Sequence, residues 1–149
     1  VPDEIYERPR NMFVASFLGN PPINFLEGRL VQDRDSMVFE RGALRVALPP
    51  DVLSKLSGQS GREVVLGLRA QDVVESLAPT PGASLSGRVA SVLPVGSDQF
   101  LEMEVEGRKL FLRLGKECRH REGDNASLSI NLNRLHLFDK QSTQSLLWV

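Results

Sequence analysis

Short runs in which apolar and polar residues alternate place the strongest limit on how this chain can fold. In residues 101–106, Leu, Met and Val alternate with three glutamates, and residues 44–48 and 127–132 keep the same period of two. This period places one set of side chains on each face of a β-strand, so each run predicts a strand with one buried face. Turn residues such as Gly107 separate the runs. The sequence therefore predicts a mainly β fold, a small barrel or sandwich of short antiparallel strands.

The first 26 residues differ from the rest and predict a separate unit at the N-terminus. Residues 1–19 read as a short helical segment, with Pro2 near its start, acidic residues in the first turn and Gly19 as the stop. Residues 20–26 read as a stiff hinge because Pro21 and Pro22 cannot continue a helix. Residues 27–149 then form the β domain. A proline-rich break divides that domain into halves at residues 27–77 and 84–149.

Composition excludes several classes of function. The net charge of -1 supplies no long-range attraction for nucleic acid or an acidic membrane. The single cysteine, Cys118, cannot form an internal disulfide bond. The apolar runs all fall short of the roughly 20 residues that span a bilayer. The N-terminus lacks an initiator Met and the apolar stretch of a signal peptide, which suggests a piece of a longer chain.

The motifs that suggest chemistry are better explained by ordinary structure. Residues 56–60 resemble a nucleotide-binding signature loop, but the strand-like residues that follow predict a simple turn. Cys118, His120 and His136 supply too few ligands for a closed zinc site. Residues 101–106 place three carboxylates on one strand face, which predicts a solvated surface that discourages edge association. We therefore predict no catalytic, metal-binding or cofactor-binding residue in this chain.

Several stretches, taken in order, resemble the C-terminal region of the ATP-binding subunits of bacterial sugar-type ABC importers. Residues 2–9 resemble the family pattern P-x-E-[IL]-Y-x-x-P, residues 13–19 resemble FVAxFIG, and residues 20–26 resemble SPPMNFL. Residues 66–73 and 136–139 fit the terminal β module of the family. Ala70 and Gln71 depart from the usual Pro-Glu, so the turn there is expected to differ.

The resemblance implies an OB-like regulatory region, of the transport-associated (TOBE or MOP-like) type, without the nucleotide-binding core. The fragment itself would be no enzyme and would need no cofactor, whereas ATP and magnesium would bind the missing domain. The implied partners are a second copy bound through the β domain, the chain's own nucleotide-binding domain, the transmembrane permease subunits and a regulatory protein. The implied location is the cytoplasmic face of the cell membrane, and nucleic acid is not among the implied partners.

The resemblance also suggests two groups of site residues. Six residues lie where the N-terminal segment meets the β domain, a region called the seam below. They are predicted to couple the β domain to the missing domain, with Phe25 as a buried wedge and Asn24 as a group that satisfies backbone atoms. They are Phe13, Phe17, Pro21, Pro22, Asn24 and Phe25. Arg69, Arg88 and Arg113 are predicted contacts for an anion or a partner.

Three functions therefore stay open at this point. The first is a regulatory and dimerisation domain of an importer ATPase subunit. The second is a module that binds a small oxyanion and so regulates transport. The third is an OB-type nucleic-acid binder, which the few aromatic residues and the slightly negative charge disfavour.

Overall fold

A computed structural model describes residues 11–12, 23–75, 82–115 and 120–147 of the chain. The predicted N-terminal helix and four of the predicted coupling residues, Phe13, Phe17, Pro21 and Pro22, lie outside these residues, as does Cys118. In the part that is described, no helix is long and apolar enough to cross a membrane.

Ten antiparallel strands and a few short helical turns make up the described structure, which confirms the predicted mainly β, OB-like class. The strands are β1 (Asn24–Asp33), β2 (Ser36–Arg41), β3 (Leu44–Ala47), β4 (Glu63–Leu68), β5 (Val73–Glu75), β6 (Ser84–Val95), β7 (Asp98–Val105), β8 (Arg108–Gly115), β9 (Asn125–Ile130) and β10 (His136–Asp139). The helical turns are α1 (Leu53–Leu56) and two 3-10 turns, Pro50–Val52 and Leu132–Arg134.

The strands form two five-stranded sheets. Sheet one has the order β10-β4-β1-β2-β3, and sheet two has the order β5-β9-β6-β7-β8. The chain passes from the first sheet to the second between Leu68 and Val73, and β10 then returns to pair with β4. Because β10 pairs with β4 and β5 pairs with β9, each sheet depends on residues that are far apart in the sequence.

The alternating residues found in the sequence explain which face of each strand is buried. Leu101, Met103 and Val105 on β7 point inward and are almost fully buried, while Glu104 on the same strand is exposed. Inward-facing residues of both sheets form one continuous core. Two-residue turns such as the one at Gly42, which has a φ of 56°, join neighbouring strands.

A second apolar cluster lies on the outer face of sheet one. Ile23, Val65 and Phe138 are buried there, and the partly buried Met12 and Phe25 pack against them. Gly67 lies beneath the cluster, because a Cβ at this position would come within 3.1 Å of side-chain atoms of His136 and Phe138. Sheet one is therefore covered on both faces near β4 and β10.

Candidate functional site

Asn24, at the start of β1, connects the two sheets through its side-chain amide. Its Nδ2 donates to the carbonyl oxygens of Leu68, at 3.1 Å, and Phe111, at 2.9 Å, while its Oδ1 accepts from the backbone N–H of Phe111 at 2.8 Å. Leu68 ends β4 in sheet one and Phe111 lies in β8 of sheet two. With only 9% of its surface exposed, Asn24 makes these bonds where water competes weakly.

The bonds of Asn24 also cover the outer edge of β8, the last strand of sheet two. The pairing of β8 with β7 directs the backbone groups of Phe111 and Arg113 away from the sheet. Asn24 takes both groups of Phe111, and the carbonyl of Ala70 accepts from the N–H of Arg113 at 2.8 Å. The side chain of Asn24 and the loop at Ala70 thus take up hydrogen-bonding groups on the edge of β8 that could otherwise pair with another chain.

Phe25 belongs to the outer cluster on sheet one, which Met12 also joins. Its ring meets the ring of Phe138 edge-on, with centroids 5.9 Å apart. Met12 packs on the same cluster, and its N–H donates to the carbonyl of Thr143 at 3.0 Å. Asn11 forms an isolated bridge with Gln144. Among the described residues before β1, Met12 and Ile23 thus contact the β domain at this cluster.

A buried polar cluster lies beside this seam, between the ends of the two sheets. It combines Arg69, Asp72, Arg134 and His136, of which all but Arg134 are buried. Arg134 Nε pairs with Asp72 Oδ1 at 3.0 Å. Asp72 Oδ2 and His136 Nδ1 are buried without a hydrogen-bond partner among the described residues.

Burial dominates the electrostatics of this cluster. Loss of solvation, together with the positive charges of Arg69 and Arg134, lowers the pKa of His136 to about 4. Loss of solvation raises the pKa of Asp72 above its usual range, although the same two arginines oppose that shift. His136 is therefore neutral at neutral pH and does not compete with the arginines for Asp72.

The structure does not bring the three predicted anion contacts into one site. Arg69 is buried in the polar cluster, whereas Arg88 is exposed on β6 opposite Glu104. Arg113 is exposed on β8, where its Nε donates to Asp98 Oδ2 at 2.7 Å and its guanidinium lies 6.0 Å from the centre of the Phe100 ring. Each of these arginines therefore has a different environment.

Sequence reasoning missed Asp72, Arg134 and His136 as members of a cluster. His136 alternates with Leu135 and Leu137, and the structure places it on the face of β10 opposite the core. Nothing in that pattern says that the opposite face is itself covered. The signal that could have found the cluster was the presence of two arginines, an aspartate and a histidine close to the ends of two predicted strands.

Four apolar side chains form a strip on the outer face of sheet two. Leu93 is 58% exposed and Val95 is 47% exposed, and the stacked rings of Phe100 and Phe111 lie beside them with centroids 5.0 Å apart. Register places Leu93 opposite Phe100, so these residues share one face. Asp98, Glu102 and Arg113 border the strip.

The described residues hold no group of three or more His, Cys, Asp or Glu side chains arranged for a metal ion. The seam provides structural contacts, and the polar cluster beside it provides buried charged groups. Asn24 fixes the start of β1 to both sheets, and the outer cluster gives the preceding segment an apolar surface on which to pack.

Comparison with known families matches the two halves of the fold separately. Residues 19–73 match the family described as the MalK OB fold domain, and residues 66–138 match the TOBE domain family. The fold also resembles the cytoplasmic molybdate-binding protein ModG, with a TM-score of 0.58 and 19% identity over 76% of this chain and 94% of that one. At this identity the likeness to ModG shows a shared fold only.

Sequence comparison finds relatives among the ATP-binding proteins of importers. The trehalose/maltose import ATP-binding protein MalK of Thermococcus litoralis is 33% identical, over 97% of this chain and 40% of its own length. The sulfoquinovosyl glycerol transport ATP-binding protein SmoE of Agrobacterium fabrum is 29% identical, over 97% of this chain and 39% of its own. The oligosaccharides import ATP-binding protein MsmX of Bacillus subtilis is 25% identical, over 95% and 39%.

The chain thus spans about two-fifths of the length of the relatives that it matches. The two family matches overlap at residues 66–73, where the chain passes from sheet one to sheet two. The chain therefore carries a MalK-type OB fold domain and a TOBE domain, and it corresponds to the region of longer ATP-binding import proteins that contains them.

Proposed function

We propose that this chain is a non-catalytic regulatory and dimerisation domain of an ATP-binding subunit that energises import of a sugar or a related solute. The observation that carries this proposal is the match over 95% or more of the chain to import ATP-binding proteins, within a fold built as an OB domain followed by a TOBE domain. ATP and magnesium would bind elsewhere in the whole protein.

The seam described above would couple this domain to the ATP-hydrolysing domain. A displacement of the segment before β1 would be felt at Met12 and Phe25 in the outer cluster. Because Asn24 bonds to strands of both sheets, the β domain would follow as one body. Phe13, Phe17, Pro21 and Pro22 complete the proposed coupling segment.

Dimerisation would serve the catalytic cycle by holding two ATP-binding subunits together. A permanent contact turns reassociation of the ATP-hydrolysing domains into an intramolecular event with a high effective concentration. The whole protein would work on the cytoplasmic face of the membrane, bound to the permease subunits. A regulatory protein would act by binding this domain.

We place the dimer contact on the apolar strip of sheet two. A two-fold axis makes a surface face itself, so the surface has to be complementary to its own copy. The strip meets this condition because Arg113 lies next to Glu102 and Asp98, and rotation would set the arginine of one copy near the carboxylates of the other. Exposed Leu93 and Val95 supply apolar area at the centre.

Sedimentation of the 149-residue chain tests dimerisation and its location together. We expect a concentration-dependent dimer that Leu93→Asp converts to a monomer, because a buried uncompensated carboxylate opposes association. Val74→Asp is the matched control, since Val74 is also exposed, at 62%, but lies on β5 away from the strip. A monomer at high concentration would contradict dimerisation, and equal effects of the two substitutions would contradict the proposed surface.

Calorimetry with ATP and magnesium tests the non-catalytic role. We expect no heat of binding, since the fold match concerns only the OB and TOBE domains. Saturable binding of ATP by the chain would contradict the proposal.

A second candidate function is oxyanion binding, which one feature favours. Arg69 and Arg134 lie close enough to Asp72 and His136 to shift their pKa values, so the polar cluster has two guanidiniums for one carboxylate. A thermal-shift screen with molybdate, tungstate and sulfate separates this function from the first. Stabilisation that Arg134→Gln abolishes would support the oxyanion site. The absence of any shift at millimolar anion would favour the first proposed function over this one.

A further inference from the structure

Residues 142–147, which follow β10, add a short extended segment to sheet one. The N–H of Asp139 donates to the carbonyl oxygen of Gln144 at 2.9 Å. The N–H of Leu146 donates to the carbonyl oxygen of Leu137 at 2.8 Å. Segment 142–147 therefore pairs with the edge of β10 that lies opposite β4.

The same segment also pairs with residues that precede β1. Asn11 forms an antiparallel bridge with Gln144. The N–H of Met12 donates to the carbonyl oxygen of Thr143 at 3.0 Å, and the side chain of Met12 packs on the outer cluster. Segment 142–147 therefore lies between β10 and these two residues, and it bonds to the backbone on both sides.

The end of the segment is anchored in the main core. Leu147 is only 5% exposed and belongs to the large apolar cluster, and Leu146 packs against that cluster. Lys55 Nζ, on α1, donates to the carbonyl oxygen of Leu147 at 2.7 Å. The N–H of Leu147 donates to Ser145 Oγ at 3.1 Å. Both the side chain and the backbone of Leu147 are therefore held, which fixes the segment at this end.

The turn at the other end of the segment contains a strained residue. Thr143 has a φ of 62°, in the left-handed region that a β-branched side chain disfavours. The carboxylate of Asp139 supports this turn, because it accepts from the N–H of Ser142 at 2.7 Å and pairs with Arg62 Nε at 2.8 Å. Such a conformation persists only where surrounding contacts enforce it. The segment thus combines a favourable anchor at Leu147 with an unfavourable turn, so it should open more readily than the core strands.

We propose that segment 142–147 is a coupling element that holds the residues before β1 on sheet one, so that the segment and these residues open together. Opening of the segment breaks the backbone pairing of Asn11 and Met12 and exposes the edge of β10. In the other direction, displacement of the residues before β1 acts on Leu147 and on α1 through the same segment. This inference rests on the proposed coupling to an ATP-hydrolysing domain for its role, and it adds a contact to those already described at the seam.

Hydrogen exchange of the 149-residue chain, followed amide by amide with NMR, tests whether the two sides open together. Leu147→Ala weakens the core anchor and leaves the backbone pairing with Met12 in place. We expect it to speed exchange at the Leu146 and Met12 amides by the same factor, about tenfold or more. Leu114→Ala is the matched control, since Leu114 is similarly buried, at 4%, but lies on β8. It should leave both amides within about twofold of their native rates, because local opening does not expose Leu114.

Thr143→Gly tests the coupling in the opposite direction and removes no core contact. Glycine accepts the left-handed backbone, so the segment should open less often and both amides should exchange about threefold more slowly. The proposal is overturned if the Met12 amide is unprotected in the native chain, or if its rate stays constant while that of Leu146 changes. Equal effects of Leu147→Ala and Leu114→Ala would also overturn it, because the amides would then exchange only through global unfolding. None of these outcomes concerns dimerisation or ATP binding, so the proposed function stands or fails on its own measurements.

Discussion

His136 shows how a single residue makes the stability of this domain depend on pH. It is only 4% exposed and lies near two arginines, Arg69 and Arg134, which also act on the buried carboxylate of Asp72. Its pKa in the folded chain, about 4, is below the ordinary value of 6.5. In the unfolded chain the imidazole regains its ordinary pKa. Between these two pH values the unfolded state therefore binds more protons than the folded state.

We predict that the free energy of unfolding falls as the pH is lowered from about 6.5 to about 4, by up to about 3 kcal/mol from His136 alone. Above pH 6.5 both states carry neutral His136, so its contribution is constant there. Urea unfolding measured across this range checks the prediction. The substitution His136→Gln is expected to remove most of the slope.

His120, the chain's other histidine, provides the control for this experiment. It is only partly buried, in the segment before β9. Unfolding curves of His120→Gln are expected to keep the slope of the native chain. If His136→Gln keeps the slope as well, burial of His136 is not its cause.

Asn24 acts at the level of whole strands, because its amide joins β1 and β4 to the edge of β8. The sequence expectation was a polar group that satisfies backbone atoms, and all three hydrogen bonds of the side chain do go to backbone atoms. The role of Asn24 in coupling to another domain stays a prediction. What the structure adds is the identity of the strands, which no local pattern specifies.

Asn24→Ala is predicted to lower the free energy of unfolding by about 2 to 4 kcal/mol, since it leaves the backbone groups of Phe111 without partners. Asn24→Asp is expected to cost more at neutral pH because two of its neighbours are carbonyl oxygens. Chemical unfolding gives the values, and hydrogen exchange at the Phe111 amide reports the edge directly. Asn125→Ala, at an exposed position on β9, should change stability by less than about 0.5 kcal/mol.

Local periodicity predicted the strands well and their partners poorly. The alternation in residues 101–106 and 127–132 correctly indicated β7, β9 and their buried faces. The return of β10 to β4 could not be predicted, because pairing across some 70 residues leaves no local pattern. The polar cluster was missed for the same reason, since burial of Arg69 and Asp72 depends on where the two sheets meet.

At the scale of the whole molecule, the two sheets share a single core. Leu26 of β1 and Leu101 of β7 belong to the same buried cluster and are both fully buried. The family matches divide the chain into an OB and a TOBE domain, but the core does not follow that division. The chain also returns to sheet one through β10 after it has formed sheet two, so the path of the chain links the two parts a second time.

We therefore predict one cooperative unfolding transition for both parts of the described structure. Leu26→Ala and Leu101→Ala should each lower the free energy of unfolding by about 2 to 5 kcal/mol and shift the same transition, because each opens a cavity in the shared core. Leu93→Ala, at an exposed position, is the control and should have little effect on the monomer. Calorimetry checks the prediction through the ratio of calorimetric to van't Hoff enthalpy, which should be near one at a concentration where the chain is monomeric. Two resolved transitions, with each substitution shifting a different one, would mean that the OB and TOBE parts fold independently and that the coupling proposed through Asn24 joins two separate bodies.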